Sequence, residues 1–150
     1  MEWALLGAVI LVLILVLVRQ QRRVQGQAEL AAIRSTLGAL RVAFVLDQLR
    51  ANTTQPQAAV VTGQRNPFHL LQSAPVNYRG EMNASKVANL QPGSWLYDPE
   101  CGCIGYRPID PQWLSGASDA ASVWYRVSGG TGVLQLVAMD AYRWQGEALN

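Results

Sequence analysis

Residues 24–51 read VQGQAELAAIRSTLGALRVAFVLDQLRA and contain no proline. Leu30, Ile33, Leu37, Leu40 and Phe44 recur at alternating spacings of three and four. At 3.6 residues per turn that pattern puts them on one face of a helix. Glu29, Arg34, Arg41 and Arg50 fall mostly off that face. The polar run Asn52-Thr53-Thr54-Gln55 followed by Pro56 is a stop signal. A helix with one apolar stripe must bury it. Here the stripe is expected to pack on the C-terminal part of its own chain rather than on a second copy in a coiled coil.

Upstream, residues 3–18 read WALLGAVILVLILVLV, an unbroken apolar run. It is slightly shorter than the ~20 residues of an ordinary spanning helix, yet longer than a buried helix would leave uncharged. No basic segment precedes it, and Arg19, Arg22 and Arg23 follow where a small-residue cleavage site would stand. The expectation is an uncleaved single-pass anchor presenting Trp3, Leu5, Leu6, Val9, Ile10, Leu13 and Leu17 to lipid. Anchor and stripe run together into one helix of about 50 residues, about 75 Å long. Residues 1–20 would lie in the membrane and 21–55 outside it.

Two signals disagree on orientation. The three arginines after the run favour a cytoplasmic C-terminal domain. The chain has one lysine (Lys86), five tryptophans and a close cysteine pair, which suits an extracytoplasmic, disulfide-permissive compartment.

Residues 56–93 are rich in Pro, Gln, Asn, Gly and Ser and read as a long loop, anchored through Phe68, Leu70, Leu71, Val76 and Tyr78. After that the period changes. Four strands are expected, at 94–98, 103–107, 121–127 and 132–142, rich in aromatic and β-branched residues and bounded by turn residues. Ser128-Gly129-Gly130-Thr131 reads as a hairpin turn between the last two. The expected fold class is α+β: a long N-terminal helix, its first half transmembrane, packed on a four-stranded antiparallel sheet at 94–150. Residues 21–150 would form one globular domain.

A net charge of +2 over 150 residues, with no basic-aromatic interleaving, points away from nucleic acid. No catalytic constellation is evident, so no enzyme, cofactor or small-molecule substrate is expected. His69 is the only histidine and lacks the array of partners that nucleophilic catalysis needs. Ser128-Gly129-Gly130-Thr131-Gly132 lacks the lysine of a phosphate loop. Cys101 and Cys103, one glycine apart, leave several readings open. They could be a redox pair, half of a metal site, free thiols, or a disulfide around Gly102, which has the backbone freedom for so tight a ring.

The plan of a membrane helix running into a loop and then an antiparallel sheet resembles type IV pilins and pseudopilins. Four segments carry a finer likeness: Asn66-Pro67-Phe68 with Leu70-Leu71, then 75–80 (PVNYRG), 92–98 (PGSWLYD), and Gly102 with 104–108 (IGYRP). They are similar to small pilin-like proteins of MSHA-type (mannose-sensitive haemagglutinin) pilus operons, with Asn66, Pro67, Tyr78, Gly80, Gly93, Trp95, Tyr97, Asp98 and Tyr106 as the family-like positions. The chain departs from pilins near its start, where it lacks the basic leader and the junction that prepilin peptidase cuts.

The resemblance therefore implies a fixed inner-membrane assembly factor with its C-terminal domain in the periplasm. Its partners would be the membrane, other pilins and pilus assembly proteins. The alternatives are a minor pilin within the filament, or an unrelated bitopic redox or metal-binding protein using Cys101 and Cys103. The periplasmic orientation in turn favours a Cys101–Cys103 disulfide. Major pseudopilins carry calcium in their C-terminal loops, which draws attention to Asp98, Glu100 and Asp110.

Overall fold

A computed structural model of the chain describes residues 2–54, 66–118, 122–129 and 134–149; within the helix, side chains are described for Trp3 and residues 6–50. One helix, α1 (Glu2–Thr54), runs for 53 residues, about 80 Å. It ends two residues before Pro56, as the stop signal requires. Among the described residues eight strands follow: β1 (Tyr78–Glu81), β2 (Ser94–Asp98), β3 (Cys103–Arg107), β4 (Leu114–Ser115), β5 (Val123–Ser128), β6 (Gln135–Ala138), β7 (Arg143–Trp144) and β8 (Glu147–Ala148).

The stripe packs on the sheet. Leu30, Ile33, Leu37, Leu40 and Phe44 are all buried, in one core with Trp95, Tyr97, Ile104, Tyr106, Val123, Tyr125 and Val127. Alternate residues of β2, β3 and β5 supply that inner face, as the two-residue period of a strand demands. Registers are regular: Trp95 stands opposite Tyr106 and Tyr97 opposite Ile104, while Ile104 stands opposite Tyr125.

The sheet differs from the four-stranded antiparallel expectation. It has five strands in the order β1-β2-β3-β5-β6. Strands at the four expected places form the antiparallel run β2-β3-β5-β6, the last confined to Gln135–Ala138 with 139–142 of the expected strand outside it, but β1 adds to β2 in parallel and makes the sheet mixed. β1 comes from the stretch expected to be loop. Its sequence, Tyr-Arg-Gly-Glu, has no apolar alternation, and its register with β2 is irregular. Neighbouring bonds hold it: Asn77 Nδ2 donates to the Gly93 carbonyl at 2.6 Å, and the Trp95 and Met82 amides bond Asn77 and Tyr97 carbonyls.

A second sheet, β4-β7-β8, was also not foreseen. Its strands are two residues long, too short to show a period. β7 and β8 join through Gln145-Gly146, both at positive φ, the conformation that a two-residue primed hairpin turn needs. Residues 130–133, which include half of the expected β5–β6 turn at 128–131, lie outside the described residues, as do 56–65 of the expected loop.

The outer face of the five-stranded sheet is covered too. A 3-10 helix (Ala84–Asn89) lies there, and Val87 and Leu90 pack with Leu96, Cys103 and Trp124. Gly105 is the point of closest approach, because a Cβ built on it would stand 2.6 Å from the Trp124 ring. Gly105→Ala is therefore expected to displace that indole and cost about 1–3 kcal/mol, as overpacking does. A urea unfolding midpoint unchanged from the parent would contradict this placement.

Candidate functional site

The first feature that the fold does not use is the start of α1. Trp3 is 86% exposed, and Leu6, Val9, Ile10, Leu13 and Leu17 are each more than half exposed. Every described side chain from Leu6 to Gln25 is exposed, so the apolar segment is bare around its whole circumference. A helix apolar on all sides is expected inside a large core or a membrane. Among the described residues, however, no helix is long and apolar enough to cross a membrane. The described apolar part, residues 6–18, rises about 20 Å against a hydrocarbon core of about 30 Å. The side chain of Leu5, one of the expected anchor positions, lies outside the described residues.

The domain begins where the bare segment ends. Among the described residues, Gly26 is the first buried one of α1. Its carbonyl accepts from Trp144 Nε1 at 2.8 Å, and the Arg23 carbonyl accepts from Gln145 Nε2 at 3.5 Å. Glu29 follows on the buried face. Its Oε1 accepts from the Tyr106 hydroxyl at 2.6 Å and from the Ile109 amide at 2.9 Å. Farther along, Arg34 pairs with Glu147 at 3.4 Å. Glu29 was expected off the buried face, since nothing in its spacing marks a carboxylate for burial.

The hairpin tip joining β2 and β3 carries the cysteines. Cys101 and Cys103 are bonded to each other across Gly102, whose φ is +63°. Cys103 is fully buried against Leu96 and Trp124, whereas Cys101 is exposed. A reduced Cys103 would be a thiol in apolar surroundings, where burial disfavours the reactive thiolate. Asp98 organises the tip: its Oδ2 accepts from the Ala84 amide at 2.7 Å and its Oδ1 from the Glu100 amide at 2.9 Å.

The three acids considered for calcium have separate tasks. Asp98 and Glu100 line one cleft of about 480 Å³, with Cys101, Trp124, Met139 and Asp140. Asp110 instead caps its own turn through the Gln112 amide, 3.0 Å away. Among the described residues no group of three or more His, Cys, Asp or Glu is placed to hold a metal ion. His69 is exposed on a 3-10 turn (Pro67–Leu70).

The family-like positions form a scaffold. Asn66 caps the turn, accepting from the Phe68 amide at 3.0 Å. Its Nδ2 lies 2.7 Å from the Tyr78 hydroxyl and 2.8 Å from Glu81 Oε1. Pro67 opens the turn, and Phe68 stacks on Tyr78 with ring centroids 4.2 Å apart. Gly93 leads into β2, where Trp95 meets Tyr106 at 4.6 Å. Gly80 lies within β1, and Tyr97 is buried in the main core. Burial pushes the phenols of Tyr97 and Tyr106 above their ordinary range. These residues hold the loop to the sheet, and none of the clefts among the described residues is lined by them as a group.

Comparison with known proteins adds no relative: no family model, no curated protein and no solved structure matches the chain.

Proposed function

We propose that the chain is a non-enzymatic, membrane-anchored component of type IV pilus biogenesis of the MSHA type. In this reading its domain lies in the periplasm and contacts pilins or inner-membrane assembly proteins. The observation that carries the reading is the division of α1. One continuous helix buries its second half against a sheet and leaves an apolar first third uncovered on every side. A bare apolar helix of this kind calls for lipid or other helices around it.

Residues 6–18 are short for a full crossing, so the reading needs the residues before Leu6 and the long stems of Arg19, Arg22 and Arg23. Such stems lie along apolar surface while their heads stay in water. A disulfide at the hairpin tip agrees with an oxidising compartment. A filament subunit would also surround the bare segment, with the helices of neighbouring copies in place of lipid.

Fusing an alkaline phosphatase after Asn150 tests orientation, and fractionating sheared pili tests incorporation. The expected result is an active phosphatase, with the chain retained in the inner membrane. An inactive fusion made at full level would overturn the periplasmic reading. Recovery of the chain in sheared filaments would replace the assembly factor with a filament subunit.

A further inference from the structure

Glu29 is 7% exposed and sits one turn above Gly26, where α1 enters the domain. Its Oε1 takes both donors that reach the carboxyl, the Tyr106 hydroxyl and the Ile109 amide. Its Oε2 is enclosed and has no hydrogen-bond partner. A buried anionic oxygen without a donor or cation is costly.

The charged groups around Glu29 do not offset it. From β3 comes the neutral Tyr106 phenol, and from the segment after β3 the Asp110 carboxylate, which repels an anion. From the β7–β8 corner, Arg143 bonds the Gly146 carbonyl and Glu147 bonds Arg34. On α1 itself Arg22, Arg23 and Arg34 lie at i−7, i−6 and i+5, off the turn that Glu29 shares. The Gln145 side chain also lies close to α1 here, since a Cβ on Gly26 would stand 2.1 Å from its Nε2.

We propose that Glu29 is a proton-operated latch that sets how tightly the base of the domain grips α1 where the bare helix leaves it. A proton placed on Oε2 removes the buried charge, while Oε1 keeps both of its donors. The neutral carboxyl therefore retains every contact that the ionised one makes. Burial outweighs the two donors and holds the carboxyl above its ordinary pKa, with Asp110 acting in the same sense. A raised value means that the folded grip binds a proton more tightly than the loosened one does. The grip is thus firmest in acid and weakens as pH rises from the ordinary carboxylate value through the raised one.

The Ile109 amide reports on the latch directly, because it bonds Glu29. In the full chain in detergent micelles, the ¹³Cδ resonance of Glu29 is expected to titrate above an ordinary glutamate. Over the same range the protection factor of the Ile109 amide, corrected for intrinsic exchange, should fall as pH rises. The fall is about tenfold for each pH unit by which the folded value exceeds the unfolded one. Glu29→Gln keeps an acceptor oxygen but cannot ionise, so its Ile109 protection should be flat with pH. A flat profile in the parent, or an unchanged slope in Glu29→Gln, overturns the proposal. Tyr106→Phe is a second arm that does not depend on Glu29→Gln folding. Losing a donor that favours the anion should move the Glu29 midpoint upward, and an unmoved or lowered midpoint also overturns it.

Discussion

Phe44→Ala is expected to destabilise the domain by about 3–5 kcal/mol, the range for a large aromatic removed from a close-packed core. Phe44 is 1% exposed and closes the upper end of the stripe, where α1 meets the 3-10 turn (Pro67–Leu70). Its loss combines forfeited burial with a cavity that a helix on one side and a sheet on the other cannot collapse. Typical domains have about 5–15 kcal/mol of stability in all, so this single truncation removes a large share. The control is Val42→Ala, two residues earlier and 59% exposed, which should cost under about 0.5 kcal/mol. Urea midpoints of the two variants should differ widely. Equal midpoints would mean that the stripe does not hold the helix to the sheet.

The second large effect belongs to the bare segment. On the proposed membrane-anchored reading, Ile10→Asp combined with Leu13→Asp should release the chain from the membrane. Each aspartate costs about 2.5–3.5 kcal/mol at the centre of an inserted helix, so the pair shifts the partition by more than about a thousandfold. Ile10 and Leu13 are 55% and 56% exposed, and neither belongs to the buried clusters of the domain. The near-ultraviolet circular dichroism of the domain should therefore survive. Carbonate extraction reads the outcome: the parent stays in the pellet and the variant appears in the supernatant. A variant that stays in the pellet with its domain folded would show that residues 3–18 are not what holds the chain there.

How much of this was legible in the chain follows from the length over which each signal repeats. The stripe from Leu30 to Phe44 repeats over several turns, and all five of its residues are buried. β2, β3 and β5 carry aromatic and β-branched runs between clear turn residues, and they appear within two residues of the expected bounds. β1 was hidden because Arg79 and Glu81 surround Gly80, and its short parallel backbone pairing with β2, flanked by one bond from the Asn77 side chain, leaves no period in the sequence. The outer cover over Leu96 and Trp124 was hidden for a related reason: Val87 and Leu90 are isolated apolar residues in a polar stretch.

Glu29 was the least legible residue of all. Its burial depends on Tyr106, 77 positions away in sequence, and on a backbone amide. Neither can be foreseen from a glutamate in a helix.

The unbroken course of α1 from Glu2 to Thr54 has a mechanical consequence. With no proline in it, the helix runs without a break from its bare end into the half packed on the sheet, and it acts as a strut. A tilt imposed on the bare end becomes a tilt of the whole sheet. A pull along the axis loads Leu30 through Phe44 together, in shear, instead of peeling them away one turn at a time.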